Sequence, residues 1–342
     1  MVDRWKIYKA RTFLKKLDAT VEVSKLQIGN HSHNYSWNEK WATVPDTETA
    51  RDGWAHHGIV TSKTGNIISF HQGEPKVVIF DQNGAMIDSW DATVENAHGM
   101  TIVDEDQEYL WLADNLSGQV TKTTLDGRVV MQIDQPDTEI YRSGGKYAPT
   151  EVAVFEEKNG GDGQIIVTDG YGSSCIHYYD KNGKYEGSID GTEGDGGRLA
   201  TPHGIWIDTR KETTELYIAD RSNGQIQVYD LSGNFQRAFG TAPGANWLHS
   251  PSGFAGWDKY LIVAELRGSR VTILDENDEL VAYVGENTGA FVFNEGWPNV
   301  PHETLIPGKF NSPHGIAADT DGNIFVAEWL IGGRINKLTR TS

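Results

Sequence analysis

The sequence predicts an all-β protein: a six-bladed β-propeller forming one domain over residues 1–342. Three observations carry that prediction. First, one theme recurs six times: a Pro or Ala, a His or other small residue, a Gly and then an apolar strand. The copies are AHHGIV, NAHGMTIV, YAPTEVAV, TPHGIWI, SPSGF and NSPHGIAAD. Second, their key positions, His57, His98, Thr150, His203, Ser252 and His314, stand 41, 52, 53, 49 and 62 residues apart. A period near fifty residues marks a repeat architecture in which each unit buries its faces against its neighbours. Third, short strands joined by Gly, Asn and Asp turns fill every period, and no segment carries a 3.6-residue apolar period. Glycine accounts for 38 residues of 342, above the usual share of about 7%, as many tight turns require.

Taken in order, residues 1–19 read as an N-terminal extension. The last repeat supplies three strands before the chain reaches Ser342, so its outer strand must come from elsewhere. Residues 20–29, with VEVSKLQIG, are the expected donor, closing the ring and removing an open sheet edge. Residues 30–52 form a polar and aromatic insert expected near the channel mouth. The six repeats then span 57–338. In each, the theme strand leads through a turn such as KTGN or DTDGN into a second strand ending in a polar pair. These second strands are ISFHQ, LWLADN, IIVTDGY, LYIADR, LIVAELR and IFVAEW. A third strand follows and runs into a turn such as KNGK or LSGN. The longest insert, 286–309, lies between the fifth and sixth units, where a channel lid could sit. Trp37, Trp41, Trp54 and Trp297 read first as packing between blades and second as walls of a pocket.

Charge and composition exclude several function classes. The chain carries 30 Lys and Arg against 48 Asp and Glu, a net charge of −18, so its field repels polyanions and no nucleic-acid partner is expected. No apolar run approaches the length that spans a bilayer, so no membrane partner is expected either. Cys175 is the single cysteine, which excludes an internal disulfide and any Cys-rich metal cluster. With no apolar leader in the sequence, a cytoplasmic location is the expectation.

The chemical signal is histidine at one repeat position. First strands of propeller blades line the central channel, so His57, His98, His203 and His314 are expected to converge on the axis. One buried histidine is ordinarily a core residue bonded to backbone. Three or four together make a borderline-soft site suited to zinc, while iron, nickel, copper and manganese accept the same ligands. The acids ending the second strands, such as Asp114, Asp220 and Glu328, read mostly as caps on neighbouring backbone amides. Tyr171 and Arg267 break that repeat and are candidate catalytic groups, a phenol for base chemistry and a guanidinium to hold a carboxylate.

The stretches AHGMTIVDEDQEYLWLADN, APTEVAVFEEKNGGDGQIIVTDGYGSS, TPHGIWI with YIADRSNGQIQVYD, and SPHGIAADTDGNIFVAEW resemble the NHL-repeat propeller of peptidyl-α-hydroxyglycine α-amidating lyase. The resemblance covers about His57 to Leu338. It implies zinc at His98, His203 and His314, with Tyr171, in the family's DGY motif, as base. Four departures qualify it. Gln72, in FHQGE, stands at the family's catalytic arginine. Ser312 stands at its methionine. Gly315 stands at the aspartate of its structural calcium, so calcium is not carried over to this chain. Gly172 replaces a disulfide half-cystine. His57 is an imidazole the family pattern does not require, and it could be a fourth ligand or an acid–base group. The function these features imply is a metal-dependent lyase-like enzyme acting in the channel on a small hydroxylated, carbinolamide- or sugar-like substrate. With glutamine at position 72, Arg267 or Arg221 would be the group that holds a substrate carboxylate. The alternatives are another metal-dependent propeller enzyme, whether hydrolase, lactonase or epimerase, and a non-catalytic NHL interaction module.

Overall fold

The computed structural model describes residues 26–30, 32–39, 41–55, 58–241 and 247–341. Strands β1 (Gln27–Asn30) and β2 (His33–Asn38) precede the repeats. Blade one holds β3 (Ile59–Thr61), β4 (Ile67–Phe70), β5 (Val77–Phe80) and β6 (Met86–Trp90). Blade two holds β7 (Ala97–Asp104), β8 (Glu108–Asp114), β9 (Gln119–Thr124) and β10 (Val129–Ile133). Blade three is β11 (Glu151–Val154), β12 (Ile165–Asp169), β13 (Cys175–Tyr179) and β14 (Tyr185–Ile189). Blade four is β15 (Pro202–Asp208), β16 (Glu215–Asp220), β17 (Gln225–Tyr229) and β18 (Phe235–Phe239). Blade five is β19 (Pro251–Trp257), β20 (Tyr260–Glu265), β21 (Arg270–Leu274) and β22 (Leu280–Val284). Blade six contains β23 (Pro313–Ala318), β24 (Ile324–Glu328) and β25 (Arg334–Arg340). Each first strand touches the first strand of the next blade, and β23 touches β3, so the six antiparallel sheets form a closed ring.

The N-terminal segment closes the ring one strand later than the sequence suggested. The neighbour of β25 is β2, with Trp37 opposite Leu338, and β1 pairs on its outer side as a fifth strand. The reason lies in the pattern of HNYSWN. His33, Tyr35 and Trp37 all face one side and are buried, whereas QIGN in β1 presents no buried residue. Residues 20–25 of the expected donor lie outside the described residues.

Apolar side chains gather in six clusters, one at each blade interface. Trp37 and Trp41 belong to these cores and do not wall a pocket. Trp41 wedges between blades six and one, 5.7 Å from the Phe80 ring and 5.1 Å from Phe325, and its indole N–H donates to Gln82 O at 3.0 Å. Turns repeat as well as strands. Asp81, Asp180 and Asp230 each accept amides two and four residues on, and the glycines at 84, 183 and 233 take the positive φ that closes the turn.

The acids that end the second strands cap backbone. Asp114 accepts from the amides of Glu95 and Asn96, Asp220 from Ala200, Glu265 from His249 and Glu328 from Asn311 and Ser312. Each carboxylate thus pins the loop that enters the first strand of its own blade. The histidines of the repeat sit on those entries.

Candidate active site

His98, His203 and His314 are buried at the starts of the first strands of blades two, four and six. Their ring centroids are 4.6–5.0 Å apart, and a ligating nitrogen of each lies within 4.8 Å of the others. The carbonyls of the intervening blades orient two of them. His98 Nδ1 lies 2.6 Å from Thr150 O, and His203 Nδ1 lies 2.6 Å from Ser252 O. A carbonyl only accepts, so both Nδ1 atoms carry the proton and both Nε2 atoms present a lone pair. Metal-binding imidazoles are held in the same way, one nitrogen bonded to a protein acceptor and the other turned to the ion.

Thr150 and Ser252, the two repeat positions without histidine, are therefore not vacancies in the pattern. Their side chains tie blades together: Thr150 Oγ1 donates to Pro202 O at 3.0 Å, and Ser252 Oγ donates to His314 O at 3.2 Å. The glycine after each key position lets the next blade come close. A Cβ on Gly204 would lie 2.7 Å from Ser252 O. Five of the six positions are glycine, and the sixth is Glu151. Its carboxyl accepts from Thr101 Oγ1 at 3.2 Å inside the axial cavity of about 340 Å³, where burial pushes its pKa up to about 7.

Tyr171 reaches the histidines from the loop after β12. Its hydroxyl lies 3.3 Å from His98 Nε2 and 3.2 Å from His203 Nε2, and Arg221 Nη1 donates to it at 3.0 Å. The guanidinium also stands over the phenol ring, 5.0 Å from its centroid. Burial raises the Tyr171 pKa above its ordinary value, and the Arg221 charge and hydrogen bond pull against that rise. Asp169 frames the loop. It accepts from the amides of Ala148 and Ser173, each at 2.6 Å, while Tyr171 N donates to Ala148 O at 3.2 Å. Behind it runs a buried chain, with Tyr141 Oη donating to Asp169 Oδ2 at 2.9 Å and standing 2.6 Å from His177 Nε2. His177 Nδ1 lies 2.6 Å from Ser188 Oγ. Desolvation leads both shifts in this chain, raising Asp169 to about 6 and lowering His177 to about 4.

The structure thus brings together His98, His203, His314 and Tyr171. Arg267 stands elsewhere, its guanidinium over Phe291 at 4.9 Å, because the blade five loop turns it toward the 286–309 insert. Gln72 donates to Ala50 O at 2.8 Å, tying blade one to the segment before it. His57 lies outside the described residues. The arginine at Tyr171 is Arg221, which the sequence offered beside Arg267 as a group to hold a substrate carboxylate. Its signal was its position at the end of a second strand, one blade after Tyr171.

No family model matches the chain. NHL repeat-containing protein 3 of Homo sapiens is 24% identical over 266 residues, covering 70% of this chain and 73% of that protein. A probable peptidyl-α-hydroxyglycine α-amidating lyase of Caenorhabditis elegans is 26% identical over 320 residues, covering 90% and 79%. The chain resembles the NHL-repeat propellers. Among solved structures, a streptogramin B lyase superposes with a TM-score of 0.58 at 18% identity, covering 91% of this chain and 100% of that one. A gluconolactonase from Xanthomonas campestris also gives 0.58, at 15% identity, covering 86% and 89%. These two share the propeller fold. Among the described residues, no helix is long and apolar enough to cross a membrane.

Proposed function

We propose that this propeller is a metal-dependent lyase that cleaves the carbon–nitrogen bond of a small carbinolamide in its central channel. The observation that carries the reading is one convergence: three imidazole nitrogens within 4.8 Å, with the Tyr171 hydroxyl 3.2 Å and 3.3 Å from two of them and Arg221 behind it. The donor set fits zinc, because three histidines, two of them with tautomers fixed by carbonyls, leave room for a further ligand. It does not fit the calcium of the lyase family, since Gly315 offers no carboxylate. A divalent ion on His98, His203 and His314 would supply Lewis acidity toward a substrate oxygen.

The chain's own groups handle the proton. Arg221 opposes the rise that burial imposes on the Tyr171 pKa and favours the deprotonated form, whose oxygen takes the proton of the substrate hydroxyl. The carbon–oxygen double bond forms as the carbon–nitrogen bond breaks, its electron pair leaving on nitrogen. The proton then passes to nitrogen, giving an amide and an aldehyde product. Arg221 keeps the phenol in place, and Asp169 fixes its loop from behind. Metal-loaded protein is expected to release glyoxylate from N-acyl-α-hydroxyglycines, and Tyr171→Phe to lower kcat by about 100-fold or more with metal content unchanged. Full turnover in Tyr171→Phe, or none in metal-loaded wild type, would overturn the proposal.

A further inference from the structure

An aromatic arc borders one side of the channel entrance. Phe291 packs on Trp297 at 4.8 Å between centroids, Trp297 on Trp329 at 6.1 Å, and Trp329 on Trp54 at 5.6 Å. Four rings therefore run in series from the insert across blade six to the approach of blade one. Two of the rings are exposed, Trp54 at 45% and Phe291 at 39%, with Val292 at 69% and Phe293 at 82% beside Phe291, while Trp297 and Trp329 are half-buried. Exposed apolar surface gathered in one place on a chain of net charge −18 is a binding feature more often than an accident of packing.

The arc is continuous with the histidine site. Trp297 Nε1 donates to Asn311 O at 2.9 Å, Trp329 N donates to Ser312 O at 2.9 Å, and Ser312 Oγ donates back to Trp329 O at 2.7 Å. Asn311 and Ser312 lead directly into His314. The rings thus hang on the segment that carries one of the three imidazoles. Arg267 supports the far end, its guanidinium over Phe291. Across the axis, Tyr171 and Arg221 of blades three and four make the polar side.

We infer that the arc of Phe291, Trp297, Trp329 and Trp54 is a subsite for an apolar, preferably aromatic, acyl group on the substrate whose polar end reacts at Tyr171. This rests on the lyase reading for what happens at the polar end, but the binding preference can be measured without turnover. N-phenylacetylglycine and N-acetylglycine share the polar end, lack the reactive hydroxyl and differ by one phenyl ring. In titration calorimetry with zinc-loaded protein, the phenylacetyl compound is expected to bind about 10-fold tighter, the return from burying one ring. Trp54→Ala and Phe291→Ala, each at a partly exposed position, are expected to shrink that ratio toward one while retaining bound zinc.

Equal affinity of the two compounds, or no binding of either, would overturn the subsite even if hydroxyglycine turnover stands. A preserved phenylacetyl preference with no turnover of any N-acyl-α-hydroxyglycine would overturn the lyase reading and leave the subsite. If the two variants changed self-association in sedimentation and left the preference intact, the arc would be a contact between copies of this chain, and the inference would fail.

Discussion

Replacing Tyr141 with phenylalanine removes one oxygen from the buried chain behind the candidate base. Tyr141 has a single hydroxyl proton, which it gives to Asp169 Oδ2 at 2.9 Å. His177 Nε2, 2.6 Å away, must therefore donate to Tyr141, and His177 Nδ1 must accept from Ser188. Without that oxygen, Asp169 loses one donor and keeps the amides of Ala148 and Ser173, while His177 keeps a buried N–H with nothing to bond. Losing a hydrogen bond to a carboxylate costs about 1.5–3 kcal/mol, and an unsatisfied buried donor about 1–3 kcal/mol. The expected destabilisation is about 2.5–6 kcal/mol from the two together, a large share of the roughly 5–15 kcal/mol that stabilises a typical domain. Urea unfolding followed by tryptophan fluorescence should show the midpoint fall with the slope unchanged. A destabilisation under about 1 kcal/mol would refute this chain of donors.

Three further outcomes follow from the same geometry. His177 is held neutral, its pKa lowered from 6.5 to about 4 by burial, so its contribution is complete above pH 6.5 and is lost as pH falls toward 4. The stability gap between wild type and His177→Gln should therefore narrow by about 1.4 kcal/mol per pH unit across that window, as denaturant titrations at stepped pH would show. Trp41→Ala should cost about 3–5 kcal/mol in the same unfolding assay, because it empties the wedge between blades six and one. Arg221→Met should leave bound metal unchanged and lower kcat on N-acyl-α-hydroxyglycines by about 100-fold, since it removes the cation facing the Tyr171 oxygen.

The ring of blades was legible because a propeller writes its period into the chain: the key position returns with each first strand, a glycine follows it in five of the six, and the acid returns at the end of five of the six second strands. The glycine has a direct physical cause, since a Cβ there would meet the backbone of the next blade. His98, His203 and His314 were legible for the same reason, as one repeat position becomes one level of the axis. What escaped was everything set by contacts between repeats. The closing strand depends on which N-terminal segment alternates its buried aromatics against β25, and both segments look like strands. Arg221 and Tyr171 lie 50 residues apart and meet only because blades three and four are neighbours. Tyr141 comes from the connection before blade three, where no repeat pattern marks it. Arg267 broke the repeat, but its cause is the insert it packs against, with Phe291 beneath its guanidinium.

The central claim is that His98, His203 and His314 hold a metal ion. Elemental analysis of protein purified without a histidine tag, loaded with zinc and dialysed, tests it directly beside His203→Ala and the double variant His98→Ala/His314→Ala. The predicted result is about one ion per chain in wild type and almost none in either variant, all three remaining folded. Wild type that retains no ion, or variants that retain as much as wild type, would contradict it.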